Sequence, residues 1–233
     1  MSKLLLTILA AMVLFSACRK QMHNYTEPCL VQTANPDKAT YSSSEFTRID
    51  YNNKHCGLLP LSKKHKWIYL DSIFEVGVFA RVKTDTLQFS TTWQTQADGL
   101  IWWQPTKNVG LPELCFSNDS AIISLQVRLF SSPRVMDARK EIFISAIDSI
   151  RFLSSFVDEA AIATEKMNKT ISTSLGHFTD CIFLEKFSPG YRKDQVYLKP
   201  GVGVVKYYYM EADGTTPGIP LQRISTLVKY IFE

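Results

Sequence analysis

The sequence predicts a mainly β protein laid out as an antiparallel meander. Three observations lead there. Apolar and polar residues alternate with a period of two over several segments, and turn residues recur between them at hairpin spacing. The composition is also that of an ordinary globular chain: 233 residues, 45% hydrophobic, 21% charged and 12% aromatic. Collagen-like, coiled-coil and wholly disordered chains are excluded on those figures. The net charge of +4 is mild and spread along the chain, so no nucleic-acid partner is expected.

The elements follow in order. Residues 19–45 read as a tether, with Asn35-Pro36-Asp37 and Ser42-Ser43-Ser44 as turn and linker chemistry. Lys66 to Phe74 reads as a strand with Trp67, Tyr69 and Asp71 on one face, and Glu75 to Arg81 continues apolar. Thr86 to Thr92 places Leu87, Phe89 and Thr91 on one side, and Gly99 to Trp103 is short and aromatic. Leu114 to Phe116 leads through an Asn118-Asp119 turn to Ile122 to Leu129, where Ile123, Leu125, Val127 and Leu129 alternate with polar residues. Glu141 to Phe152 fits either a strand or a helix. Ala160 to Lys169 favours helix by propensity but sits between strands, and we assign it as strand. Cys181 to Lys186, Gln195 to Lys199, Val202 to Met210 and Leu221 to Phe232 complete the meander, with a loop from Asp213 to Gly218.

The first 17 residues read as an address. Lys3 supplies positive charge, Leu4 to Phe15 is an apolar run too short to span a bilayer, and Ser16-Ala17 are small. Phe15-Ser16-Ala17-Cys18 resembles a bacterial lipobox, which implies acylation (palmitate-type chains) of Cys18. Each buried methylene contributes about 0.8 kcal/mol, so several chains hold a domain firmly at a membrane. Arg19 and Lys20 follow, with no Asp and no acidic cluster, so the expectation is the periplasmic face of the outer membrane. The organisation expected is a signal peptide over 1–17, a tether and loop-rich segment over 18–58, and one β-rich domain over 59–233.

Four further cysteines remain: Cys29, Cys56, Cys115 and Cys181. An even number in an exported chain suggests disulfides, and of three connectivities we expect Cys29–Cys56 with Cys115–Cys181. His55, Cys56, His65 and Cys29 lack the CxxC or HxxxH pairs of a zinc site, so no metal and no cofactor is expected.

Pro200, Gly201 and Gly203 read as a structural turn. Proline ends one strand's ladder, and glycine permits a bulge that bends the next. The stretch Gly176-His177-Phe178-Thr179-Asp180-Cys181, followed by Val196-Tyr197-Leu198-Lys199-Pro200-Gly201-Val202-Gly203-Val204-Val205-Lys206, resembles the C-terminal signature of a broad set of uncharacterised bacterial lipoproteins. His65-Lys66-Trp67-Ile68-Tyr69 resembles their first core strand, with Lys64 where Gly is usual. The resemblance implies a curved antiparallel sheet similar to the half-barrels of periplasmic lipoprotein carriers, with room for one covering helix. It implies no activity.

Candidate chemistry is sparse. His177 and Asp180, with Ser174 nearby, fit capping and solvation better than a dyad. Asp158 and Glu159 are adjacent, so on a strand they point to opposite faces. No enzyme is expected. The aromatics carry more: Trp102 and Trp103 are consecutive and occupy both faces of a strand, and Trp93, Tyr207 and Tyr209 raise the same question of what covers them. These five are the candidate lining of a pocket for a lipid or other hydrophobic ligand; the rival is that both faces are simply covered. Asp71-Ser72-Ile73, Asp85-Thr86-Leu87, Asp119-Ser120-Ala121 and Asp148-Ser149-Ile150 resemble a bacterial O-glycosylation acceptor pattern. The reading is a lipid-anchored envelope protein that binds or scaffolds an unknown envelope partner. A hydrophobic-ligand carrier is the alternative and a hydrolase the last choice.

Overall fold

The computed structural model describes residues 29–34, 40–129, 136–154, 160–212, 214 and 218–233. Cys18, the signal segment, and Asp158 and Glu159 lie outside them. The described chain is mainly β, a strongly curled antiparallel half-barrel sheet with a second antiparallel sheet. The strands are β1 (Thr40–Ser42), β2 (Phe46–Ile49), β3 (Lys66–Glu75), β4 (Val78–Leu87), β5 (Phe89–Thr95), β6 (Ile101–Pro105), β7 (Cys115–Ser117) and β8 (Ala121–Leu129). Then come β9 (Met136–Ser145), β10 (Ser149–Ser154), β11 (Ala160–Thr173), β12 (Gly176–Ser188), β13 (Arg192–Lys199), β14 (Gly203–Glu211) and β15 (Leu221–Ile231). One sheet runs β1-β9-β8-β7-β6-β5-β2 and the other β10-β11-β12-β13-β14-β15-β3-β4. Among the described residues there is no α-helix, only a short 3₁₀ turn at Ser43–Glu45. The cover the sequence allowed to a helix is supplied by a sheet instead.

The chain changes sheet at one residue. Leu87 ends β4 in the eight-stranded sheet and Phe89 opens β5 in the seven-stranded sheet, both buried, so the single run read from Thr86 to Thr92 is two strands. The N-terminal segment is less of a tether than expected. β1 pairs with β9 and β2 with β5, closing both edges of the smaller sheet. Tyr41, Phe46 and Ala34 of this segment join the smaller core, and its two short strands are too brief to show a period.

Two cores result. The larger lies between the sheets and includes Trp67, Tyr69, Phe89, Trp103, Leu184, Val205 and Tyr207. The smaller lies on the other face of the seven-stranded sheet, where Tyr41, Trp102, Phe116 and Leu125 pack together. β11 joins the first core through Ala161 and Ala163, with Glu165 next on the same face and also buried. That is period two despite helix-favouring residues. Glu165 accepts from Arg151 Nε at 2.9 Å and from Ser149, while Arg151 also donates to the carbonyls of Ile142 and Phe143 on β9. One arginine therefore ties the two sheets. Register shifts in β11, with Asn168 and Asp180 at positive φ, mark bulges that bend this long hairpin.

Pro200 and Gly201 lie in a turn in which Val202 N–H donates to Lys199 O at 3.0 Å. Gly201 (φ 74°) and Gly203 (φ 111°) are left-handed, and the Trp67 indole donates to Val202 O at 2.6 Å. A Cβ on Gly203 would lie 3.0 Å from Trp67 Nε1, so the close approach also requires glycine.

Candidate binding cleft

Cys29 and Cys56 are joined in a disulfide, with Cα atoms 5.5 Å apart. The second expected bridge does not form: Cys115 and Cys181 are free buried thiols. Cys115 sits on β7 and Cys181 on β12, in opposite sheets, and both fill the shared core as small apolar side chains. Burial pushes the Cys115 thiol up to about 12 and that of Cys181 to about 11.

The expected pocket residues are placed differently from the expectation. Trp102 and Trp103 point to opposite faces, as the spacing required, but both are fully buried in filled cores. Trp102 packs edge-on against Phe116 and Tyr41, and Trp103 against Tyr51, His55 and Phe89. Trp93 is half-buried against the smaller core. Tyr207 is buried and donates to Asp194 Oδ1 at 2.6 Å; Tyr209 is half-buried and donates to Glu211. The covered-face rival describes Trp102 and Trp103: Trp103 lies in the core between the sheets, and Trp102 in the smaller core, to which Tyr41 and Ala34 of the N-terminal segment contribute.

The histidines are scattered. His55 Nε2 bonds the Tyr51 hydroxyl at 2.7 Å, and burial lowers its pKa to about 4. His65 contacts the Pro60 carbonyl and packs on Phe232 and Trp67, with burial again lowering its pKa. His177 is exposed and meets Ser172 Oγ at 2.9 Å, whereas Asp180 accepts from Thr179 and lies 3.8 Å from Lys199. Of the glycosylation-like positions, Thr86 and Ser120 are exposed, and Ser72 and Ser149 are half-buried.

A cleft of about 340 Å³ opens between the sheets, with none of the three tryptophans in its lining. One wall is the segment from Asn108 to Glu113 with Phe143; the other is Leu184, Lys186, Arg192, Asp194 and Val196 from β12 and β13. Arg192 and Asp194 alternate on β13, so both side chains share the inner face, and they form a forked ion pair at 2.7 and 3.2 Å. Burial works against the Arg192 charge, but the bond and charge of Asp194 outweigh it and hold the guanidinium firmly protonated. Its guanidinium lies over the Tyr209 ring at 5.0 Å. Arg223 lies over Tyr207 at 5.4 Å and Tyr209 at 5.8 Å, and donates to Asn108 O at 2.8 Å. Two arginines and two tyrosines thus stack in alternation beside the cleft. Burial raises both phenols, Tyr209 to about 12, so they remain donors at neutral pH.

The segment over this network is fixed by a glycine. Gly110 has φ 81°, and a Cβ there would lie 2.6 Å from Val196 and 2.7 Å from Tyr207. Beyond it, Asp71 on β3 and Ser225 on β15 face each other in register, and both are fully buried. Neither Asp71 oxygen, nor Ser225 Oγ, nor Arg223 Nε finds a partner among the described residues. Buried polar atoms left so are costly and are met by ordered water or ligand atoms. The sequence reading missed Arg192, Asp194, Arg223 and Ser225. Their signal was alternation: Arg192-Lys193-Asp194 and Arg223-Ile224-Ser225 put charged or polar residues where apolar ones face inward elsewhere. Asp71 was placed on the face of Trp67 and Tyr69, but without a role.

Compared with known proteins, the chain matches no family model, no curated protein and no solved structure.

Proposed function

We propose that this chain is a non-enzymatic lipoprotein, anchored through acylated Cys18 to the periplasmic face of the outer membrane, that binds a polar partner in the cleft between its sheets. The arginine–tyrosine stack carries this reading. Arg192 and Asp194 present both charge signs at one wall, and their partners Tyr207 and Tyr209 hold them in a fixed geometry before any ligand arrives. A mixed-charge, hydrogen-bonding wall suits a zwitterionic or polyhydroxylated group, or a polar peptide segment, better than a hydrocarbon chain. The hydrophobic-carrier alternative depended on open aromatic faces, and Trp102, Trp103 and Tyr207 are instead packed.

The two halves of the reading have separate tests. Cys18→Ser releases the protein from the membrane fraction into the soluble envelope fraction; unchanged fractionation defeats the anchor. For the cleft, a polar extract of the envelope raises the thermal midpoint of wild type and leaves that of Arg192→Ala unmoved. Equal shifts in both proteins place binding elsewhere.

A further inference from the structure

The eight-stranded sheet ends on β4, a ten-residue strand with nothing paired to its outer edge among the described residues. Edges of this length are normally covered, bulged or shortened, because their free N–H and C=O groups template another strand. This one is bulged only near its turn, where Ala80 is passed over between the Ile73–Arg81 and Phe74–Phe79 pairs; Arg81–Leu87 is regular, and the faces are open, with Val78 70% exposed, Phe79 56% and Val82 48%.

We propose that β4 pairs antiparallel with β4 of a second copy of the chain, about a two-fold axis through Thr84. The strand's own charges select both occupant and register. Facing residues in an antiparallel ladder share a face, so a two-fold axis must pass through one residue opposite itself. Alignments that pair most of Val78–Leu87 put Arg81, Val82, Lys83 or Thr84 on the axis. An axis at Arg81 sets arginine against arginine, and one at Lys83 sets lysine against lysine. An axis at Val82 sets Arg81 against Lys83 twice. The Lys83 axis also faces Arg81 with Asp85, but only with that lysine pair on the axis; the axis at Thr84 alone opposes unlike charges with no like-charge pair, Lys83 facing Asp85 of the second copy on both sides of it and Val82 facing Thr86. Within one chain Asp85 already draws Lys83 to 3.1 Å and binds Lys107. In the pair each Asp85 lies between its own Lys107 and the second copy's Lys83. The charges that guard this edge against other alignments thereby permit one.

Native mass spectrometry of the full-length protein released from detergent tests this. Wild type is dimeric, and Lys83→Asp, which sets aspartate against Asp85 at a solvent-facing position, is monomeric. Thr84→Cys cross-links to itself on oxidation, since facing Cα atoms lie about 4.5–5.5 Å apart, within disulfide reach. Thr86→Cys, displaced from the axis, does not. A monomeric wild type, a dimer that survives Lys83→Asp, no cross-link at Thr84, or equal cross-linking at Thr84 and Thr86 overturns the proposal.

Discussion

His55 is packed between Tyr51 and Trp103 with its Nδ1 unpartnered, and it stays neutral well into acid. The unfolded chain takes up a proton there near pH 6.5, whereas the folded chain does so only near 4. Stability is therefore full above about pH 6.5 and is lost as pH falls toward 4, by about 3 kcal/mol in total. His65 shifts in the same direction. Urea unfolding across that range shows the decline, and His55→Leu flattens the His55 share of it. Arg192→Ala removes the guanidinium from an Asp194 carboxylate that stays largely buried. Because Arg192 is itself a third exposed, the expected loss is about 2 kcal/mol, read from the same unfolding curves. At this scale the sequence was legible where geometry alone decides. Consecutive Trp102 and Trp103 had to take opposite faces, and they do. It was not legible where packing decides, because no spacing states that Tyr41 lies 6.2 Å from Trp102 and closes that face. Cys115 and Cys181 show the same limit: parity suggested a bridge, but both thiols serve as core.

The β3–β4 hairpin turns through Val76 and Gly77, both at positive φ, 51° and 78°. Such turns favour Asn-Gly, and a β-branched residue there is strained. Val76→Asn is expected to stabilise by about 1 kcal/mol, seen as a higher thermal midpoint. Gly110→Ala has the opposite sign: strain at φ 81° and a Cβ against Val196 and Tyr207 cost about 2–3 kcal/mol and disturb the cleft wall. Elements with a strong period, such as β3 and β14, were readable to within a residue or so. β11 was harder because its inward residues are Ala161, Ala163 and Glu165, which carry little hydrophobic contrast. The change of sheet at Gln88 left no local signal, since Leu87 and Phe89 alternate as they would along one strand. β1 and β2 escaped notice because edge strands of three and four residues gain their order from the sheet they close.

At the scale of the molecule, a mainly β fold was readable from alternation and turns, and its curl was implied by the family resemblance. The division into two facing sheets was not, because it depends on which strands meet across the core. The disulfide stands near one pole of the sheets, since the adjoining Leu30 and Leu58 bond the 54–56 segment and the Gly201 turn. It closes a 27-residue separation, and Cys29→Ser with Cys56→Ser is expected to cost about 3 kcal/mol in chemical denaturation. The polar cleft lies between the sheets and toward the other end of β13 and β14. The most direct measurement of the central claim is mass spectrometry of small molecules co-purified with wild type and with Arg192→Ala. A polar, charged or polyhydroxylated species bound to wild type and lost from the variant is the predicted result. Acyl-chain species retained equally by both, with nothing polar lost, would contradict it.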